Sequence, residues 1–163
     1  MENLKKIFLG EVTNWKELGG KDQKIVILNR AAGSGTRATF EKWVLGDKTA
    51  IRAQEQDSSG MVRSIVSDTP GAISYTAFSY VTDEVATLSI DGVQPTDENV
   101  MNNKWIIWSY EHMYTRKNPS DLTKEFLDFM LSDDIQERVI GQLGYIPVSK
   151  MEIERDWQGN VIK

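Results

Sequence analysis

The chain has 163 residues, 40% of them apolar and 26% charged, with a formal charge of −5 at pH 7. That size and balance describe one domain, or one lobe of a larger protein. The acidic excess argues against nonspecific nucleic-acid binding, which draws on clustered Lys and Arg. No cysteine is present, so neither a disulfide nor a cysteine-based zinc site is available. No apolar run reaches transmembrane length, and no signal-like hydrophobic region opens the chain.

Residues 2–9 predict a short helix with Leu4, Ile7 and Phe8 on one face and Gly10 as its stop. From 24 to 29 the apolar residues fall on both faces, the pattern of a strand in a covered, parallel sheet. A helix is expected over 36–45, with Phe40, Trp43 and Val44 inward. Another starts near Ser59, with Val62, Ile65 and Val66 as its stripe and Asp57, Ser58 and Ser59 as N-cap types. Pro70-Gly71 marks a turn before a strand at 72–75. A further strand is expected at 85–90, closed by Asp91-Gly92, and a long aromatic-rich strand at 104–115. Ser120 and Ser132 read as N-caps of two C-terminal helices. Their inward residues would be Leu122, Phe126, Leu127 and Met130, then Ile135, Val139 and Ile140. Strands alternating with helices give an α/β class. No internal repeat stands out.

The run Asn29-Arg30-Ala31-Ala32-Gly33-Ser34-Gly35-Thr36 lies between the first strand and the helix after it. The first N–H groups of a helix lack intrahelical partners, and its dipole favours negative charge there. Gly33 and Gly35 let a ligand approach the backbone, Ser34 and Thr36 can donate O–H bonds, and Arg30 can offer a charge-assisted fork to an oxyanion. Taken alone, the run equally suits a strand-to-helix turn with an N-cap serine. It lacks the lysine of a nucleotide-hydrolase phosphate loop. No Gly-x-Ser-x-Gly elbow surrounds Ser34. His112, the single histidine, sits among aromatic residues with no acid partner evident, so a structural role is favoured over a catalytic one. Trp43, Trp105 and Trp108 are read as packing residues rather than as a sugar-stacking surface.

Arg-x-x-Gly-Ser-Gly-Thr at 30–36 resembles the phosphate motif of the phosphate-binding proteins that feed Pst-type ABC transporters. Ile7-Phe8-Leu9-Gly10 with Thr13-Asn14-Trp15, Asp57-Ser58-Ser59-Gly60, Pro70-Gly71-Ala72-Ile73-Ser74-Tyr75, Ile90-Asp91-Gly92-Val93 and Leu143-Gly144-Tyr145-Ile146-Pro147 resemble that family in order and spacing. The resemblance implies one lobe of a type II periplasmic-binding-protein-like fold with a C-terminal helical tail. Residues 1–103 would be the second, phosphate-cradling lobe. Residues 104–163 would be a return strand and helices that pack on a first lobe largely absent here. Arg30, Ser34, Gly35 and Thr36 would be the phosphate contacts, about half of the site. Neither a cofactor nor a metal is implied, and no catalysis. Asp57 sits where a helix cap is expected and is not assigned the selectivity role of the family's buried carboxylate. At 105–110 the chain departs from the family's Tyr-Pro-Ile-x-Arg segment.

On that resemblance the chain is expected to capture inorganic phosphate and to work with a membrane permease of a Pst-type ABC importer. Its place would be the extracellular face of the membrane, lipid-anchored in the full-length protein, or the periplasm of a two-membrane bacterium. Nucleic acid is not an expected partner. Exposed apolar residues around 110–114 and in the C-terminal helices lead to the expectation of a homodimer. The competing readings are a phosphate-ester hydrolase or transferase, and a receptor for another oxyanion such as sulfate or molybdate.

Overall fold

The structure, a computed structural model, describes residues 1–163. It divides into two compact units, Met1–Pro95 with Trp105–Trp108, and Thr96–Lys104 with Ser109–Lys163.

The first unit is built on a parallel three-stranded sheet in the order β2-β1-β3. The central strand β1 (Val26–Arg30) pairs with β2 (Gln54–Gln56) through Leu28–Gln54 and Arg30–Gln56. It pairs with β3 (Ala72–Ile73) through Val26–Ala72 and Ile27–Ile73. Parallel pairing requires crossovers. α2 (Gly35–Phe40), continued by a π-helical turn at Glu41–Leu45, lies on one, and α3 (Ser59–Asp68) on the other. α1 (Glu2–Phe8) contributes Ile7 and Phe8 to a core that also holds Val12, Ile25, Phe40, Val44, Leu45 and Ile73. Phe40 stacks on Tyr75 with centroids 3.9 Å apart and planes 7° from parallel, while Phe8 tilts against Phe40 at 4.6 Å. Trp43 is half-buried and its indole N–H donates to the Trp108 carbonyl (3.0 Å).

Gly71 opens β3 at φ +81°. Its carbonyl accepts from the Val26 N–H (3.1 Å) and the Trp15 indole N–H (3.0 Å). A side chain there would collide with the Lys24 carbonyl and lie 2.8 Å from Gln23 Cγ.

In the second unit, α4 (Asp97–Met101) is capped by Thr96 and α5 (Asp121–Met130) by Ser120, whose hydroxyl accepts from the Thr123 N–H (3.2 Å). Gln136 ties this unit together: its amide donates to the Met130 carbonyl (2.9 Å) and accepts from the Val148 N–H (3.1 Å). Arg155 donates to Asn103, and burial pushes its guanidinium down to about 10.

Several expected elements differ. Residues 85–90 form no strand; only Ile90 and Val93 bridge across the Asp91-Gly92 turn, and Leu88 is exposed. Residues 104–115 form no strand either. The Trp108 N–H turns back to the Ile106 carbonyl (3.0 Å), a bond no ladder contains, and 111–118 are exposed. β-branched and aromatic residues favour strands only where a ladder partner exists. His112 therefore sits exposed in an irregular segment, its ring between those of Tyr110 and Tyr114. Ser132 does not cap the helix that follows; its hydroxyl donates back to the Phe129 carbonyl (2.7 Å), and the next helical turn starts at Asp134 after an uncapped Asp133. Leu122 (75% exposed) and Phe126 (55%) face outward rather than inward, whereas Ile135 is buried. Amphipathic spacing defines a stripe on a helix without defining what covers it.

Gly71→Ala is expected to destabilise the first unit by about 2–3 kcal/mol, through left-handed strain and the carbonyl clash. Urea unfolding followed by far-ultraviolet circular dichroism reads this as a lowered midpoint.

Candidate functional site

The site grows from the carboxyl end of β1. Arg30 is its last residue and is 93% buried, its relative exposure being 7%. The guanidinium is held from two sides: Nη1 donates to Ser59 Oγ (2.6 Å) and Nη2 to the Asp57 carbonyl (2.7 Å). Its buried Nε–H has no partner within the protein. The main chain of Arg30 is pinned as well. Its N–H donates to Tyr75 Oη (3.3 Å), and its carbonyl accepts from Arg37 Nη1 (2.8 Å). Ser58, not Asp57, caps α3, accepting from the Met61 N–H (3.4 Å).

The chain then turns. The Ala31 N–H donates to the Gln56 carbonyl (2.8 Å), and the Ser34 N–H returns to the Ala31 carbonyl (3.2 Å). Gly33 sits at φ +88°, a left-handed value that a residue with a side chain adopts only at a cost. Ser34 is the N-cap of α2, its hydroxyl accepting from the Arg37 N–H (3.3 Å). Its own O–H proton remains free to donate, so capping and ligand binding are compatible here. The N–H groups of Gly35 and Thr36 open the helix, and neither has an acceptor in the chain. A hollow of about 310 Å³ lies over this turn, lined by Gly33, Ser34, Gly35, Arg37 and Glu41 among others.

The four residues singled out from the sequence thus fall into two groups. Ser34 and Gly35 border the hollow; Thr36 follows them in the first helical turn; Arg30 stands on the strand end, outside the lining of the hollow. Sequence reasoning missed four supports. Arg37 binds Glu41 Oε1 (2.8 Å) and Glu55 Oε1 (2.7 Å). Those two carboxylates hold its proton well above the ordinary arginine range. Arg37 and Glu41 stand four apart on a helix, a spacing visible in the sequence. Glu55 lies on β2 and Tyr75 follows β3, and neither carries such a signal. Burial pushes the Tyr75 phenol above its usual 10.

Residues 1–134 match the PBP superfamily domain. The chain belongs to that superfamily. Within it, the "Phosphate-binding protein PstS" of Bacillus subtilis (strain 168) is 52% identical over 159 residues, which are 97% of this chain and 53% of that protein. Its namesake in Borreliella burgdorferi is 32% identical, over 90% of this chain and 57% of the relative. A Clostridium perfringens protein solved with bound phosphate superposes with a TM-score of 0.77 at 37% identity, over 90% of this chain and 61% of that one. An ABC-type phosphate transport receptor from Vibrio cholerae gives 0.72 at 28% identity, over 89% and 62%. The chain spans about half the length of the curated relatives it matches. The expected kinship with phosphate-binding proteins is met, and so is the α/β class: the parallel sheet and its crossover helices match part of this superfamily's fold.

Tyr75→Phe keeps the Phe40 stack but leaves the buried Arg30 N–H without its acceptor, a loss of about 1–3 kcal/mol. Because the folded state holds the phenol proton above pH 10, this residue's stabilising contribution is complete below that pH. It is lost as pH rises through the folded value. Absorbance titration at the phenolate band should show a late-titrating fraction that vanishes in Tyr75→Phe.

Proposed function

We propose that this chain supplies one face of an inorganic phosphate site, in the substrate-binding component of a phosphate ABC importer. Arg30, Ser34, Gly35 and Thr36 are the proposed contacts. The observation that carries the reading is a buried arginine with an unpartnered Nε–H beside a turn whose helical N–H groups also lack acceptors. Buried donors of this kind call for an acceptor, and a charged donor calls for an anion. The relatives named as phosphate-binding proteins, and the phosphate bound in the C. perfringens structure, support phosphate as that anion.

The work of such a site is capture, not chemistry. N–H and O–H dipoles with one guanidinium surround the anion and release it to a membrane permease. The rest of the coordination shell would come from a facing lobe, and the place of work would be outside the cytoplasmic membrane, with a lipid anchor or in a periplasm. Selectivity follows from protons. Monohydrogen phosphate can donate a hydrogen bond to a carboxylate, whereas sulfate cannot and is repelled. No carboxylate is assigned that role here, so this chain alone should separate the two anions poorly. The outward Leu122 and Phe126 of α5 also support self-association, which light scattering at high concentration would register as a mass above the monomer's.

Calorimetric titration with phosphate and with sulfate at low salt tests the reading. The expected result is weak, nearly equal binding of both, abolished by Arg30→Ala. Absence of phosphate binding would overturn the assignment. Tight binding of phosphate alone would overturn the division of the site between this chain and a facing lobe.

A further inference from the structure

We infer that Arg37 is a positioning residue of the anion site: it braces the cradle turn and offsets one of the two carboxylate charges of Glu41 and Glu55 beside it, rather than holding the anion. The inference deepens the proposed phosphate site and rests on that reading.

Arg37 is the third residue of α2 and is largely buried, with 17% of its side chain exposed. It touches both ends of the turn. Its main-chain N–H meets the Ser34 hydroxyl (3.3 Å), and its Nη1 reaches back to the Arg30 carbonyl (2.8 Å). The same Nη1 bonds Glu55 on β2 (2.7 Å), next to Gln56, whose carbonyl takes the Ala31 N–H (2.8 Å). The turn is therefore fastened to the neighbouring strand at two adjacent residues. Nε is occupied by Glu41 (2.8 Å), which lines the hollow with Arg37. One guanidinium against two carboxylates leaves a local charge of −1 at the rim. Without Arg37 it would be −2, facing an incoming anion.

The consequence is measurable. In Arg37→Met the uncompensated carboxylates should weaken phosphate binding on the order of tenfold at low ionic strength. That loss should shrink toward 1 M salt, where the Debye length falls to about 3 Å. A purely structural defect would not follow the salt in this way. The triple variant R37M/E41Q/E55Q removes all three charges and should recover most of the affinity. Binding is read by nuclear magnetic resonance titration of the whole chain with inorganic phosphate, following the amides of Gly33, Gly35 and Thr36, with circular dichroism confirming the fold of each variant.

An Arg37→Met variant that binds like the parent overturns the inference. So does a triple variant as weak as Arg37→Met at every salt concentration whose Ala31 and Ser34 amides exchange as in the parent, because neither the charge nor the brace would then account for the loss and Arg37 would be a ligand itself. If the parent chain gives no phosphate-dependent shifts, the phosphate reading fails. The brace is then judged without ligand, by amide hydrogen exchange at Ala31 and Ser34. Faster exchange in Arg37→Met supports the brace, and unchanged exchange overturns it.

Discussion

A cation buried at the carboxyl end of the central strand is the constraint around which the first unit is organised. Removing a guanidinium from water costs several kcal/mol unless its donors find partners. The terminal nitrogens of Arg30 find them beyond β2, and its main chain is held from beyond β3. β2 leads directly to the Asp57 carbonyl and the Ser59 hydroxyl, which take its terminal nitrogens. β3 leads to Tyr75, whose phenol takes its main-chain N–H. Both neighbouring strands thus lead to groups that hold one residue of the central strand, at the carboxyl end of the sheet where open α/β folds place their ligands. A shift of register against β2 would strand the charge, and one against β3 would leave the Arg30 N–H unpaired.

The core reaches the same point by another route. Phe40 sits at the end of α2 and stacks on Tyr75, with Phe8 of α1 behind both. Burial of these rings fixes where α2 lies, and therefore where the N–H groups of Gly35 and Thr36 point relative to Arg30. Packing energy is converted here into orientation. The dipoles proposed to meet an anion are held by the apolar residues least able to interact with one.

Most local signals are legible in the sequence, and those that depend on distant partners are not. The strand at β1, the turn with its glycines, and the caps at Ser34, Ser58 and Ser120 depend on residues within a few positions of one another. They were legible for that reason. The expected strands at 85–90 and 104–115 required a ladder partner that composition cannot reveal, and the structure supplies none. Ser132 had two nearby backbone acceptor and donor sets to choose from, and it closes the helix before it rather than opening the one after. For the site, Arg30 and the Gly-Ser-Gly-Thr turn stood out, while Tyr75 and Glu55 did not. Their roles exist only once β2 and β3 lie beside β1.

The proposed anion site, in a chain of net charge −5, must be built against the prevailing field. The structure does this by pairing acids locally. Asp22 is bound by Lys16 and Asn14, which hold its carboxyl below the usual range. Glu41 and Glu55 share Arg37. Around the cradle the sum is close to zero, one positive charge on Arg30 against one negative charge left by the Arg37 cluster. Bulk attraction therefore contributes little, and binding falls to directed N–H and O–H groups whose strength depends on exclusion of water. Such groups are strong only when they are fixed in advance and closed off from solvent. That is why the supports of the turn matter as much as its donors, and why the proposed single face, open to water, is expected to hold an anion only weakly.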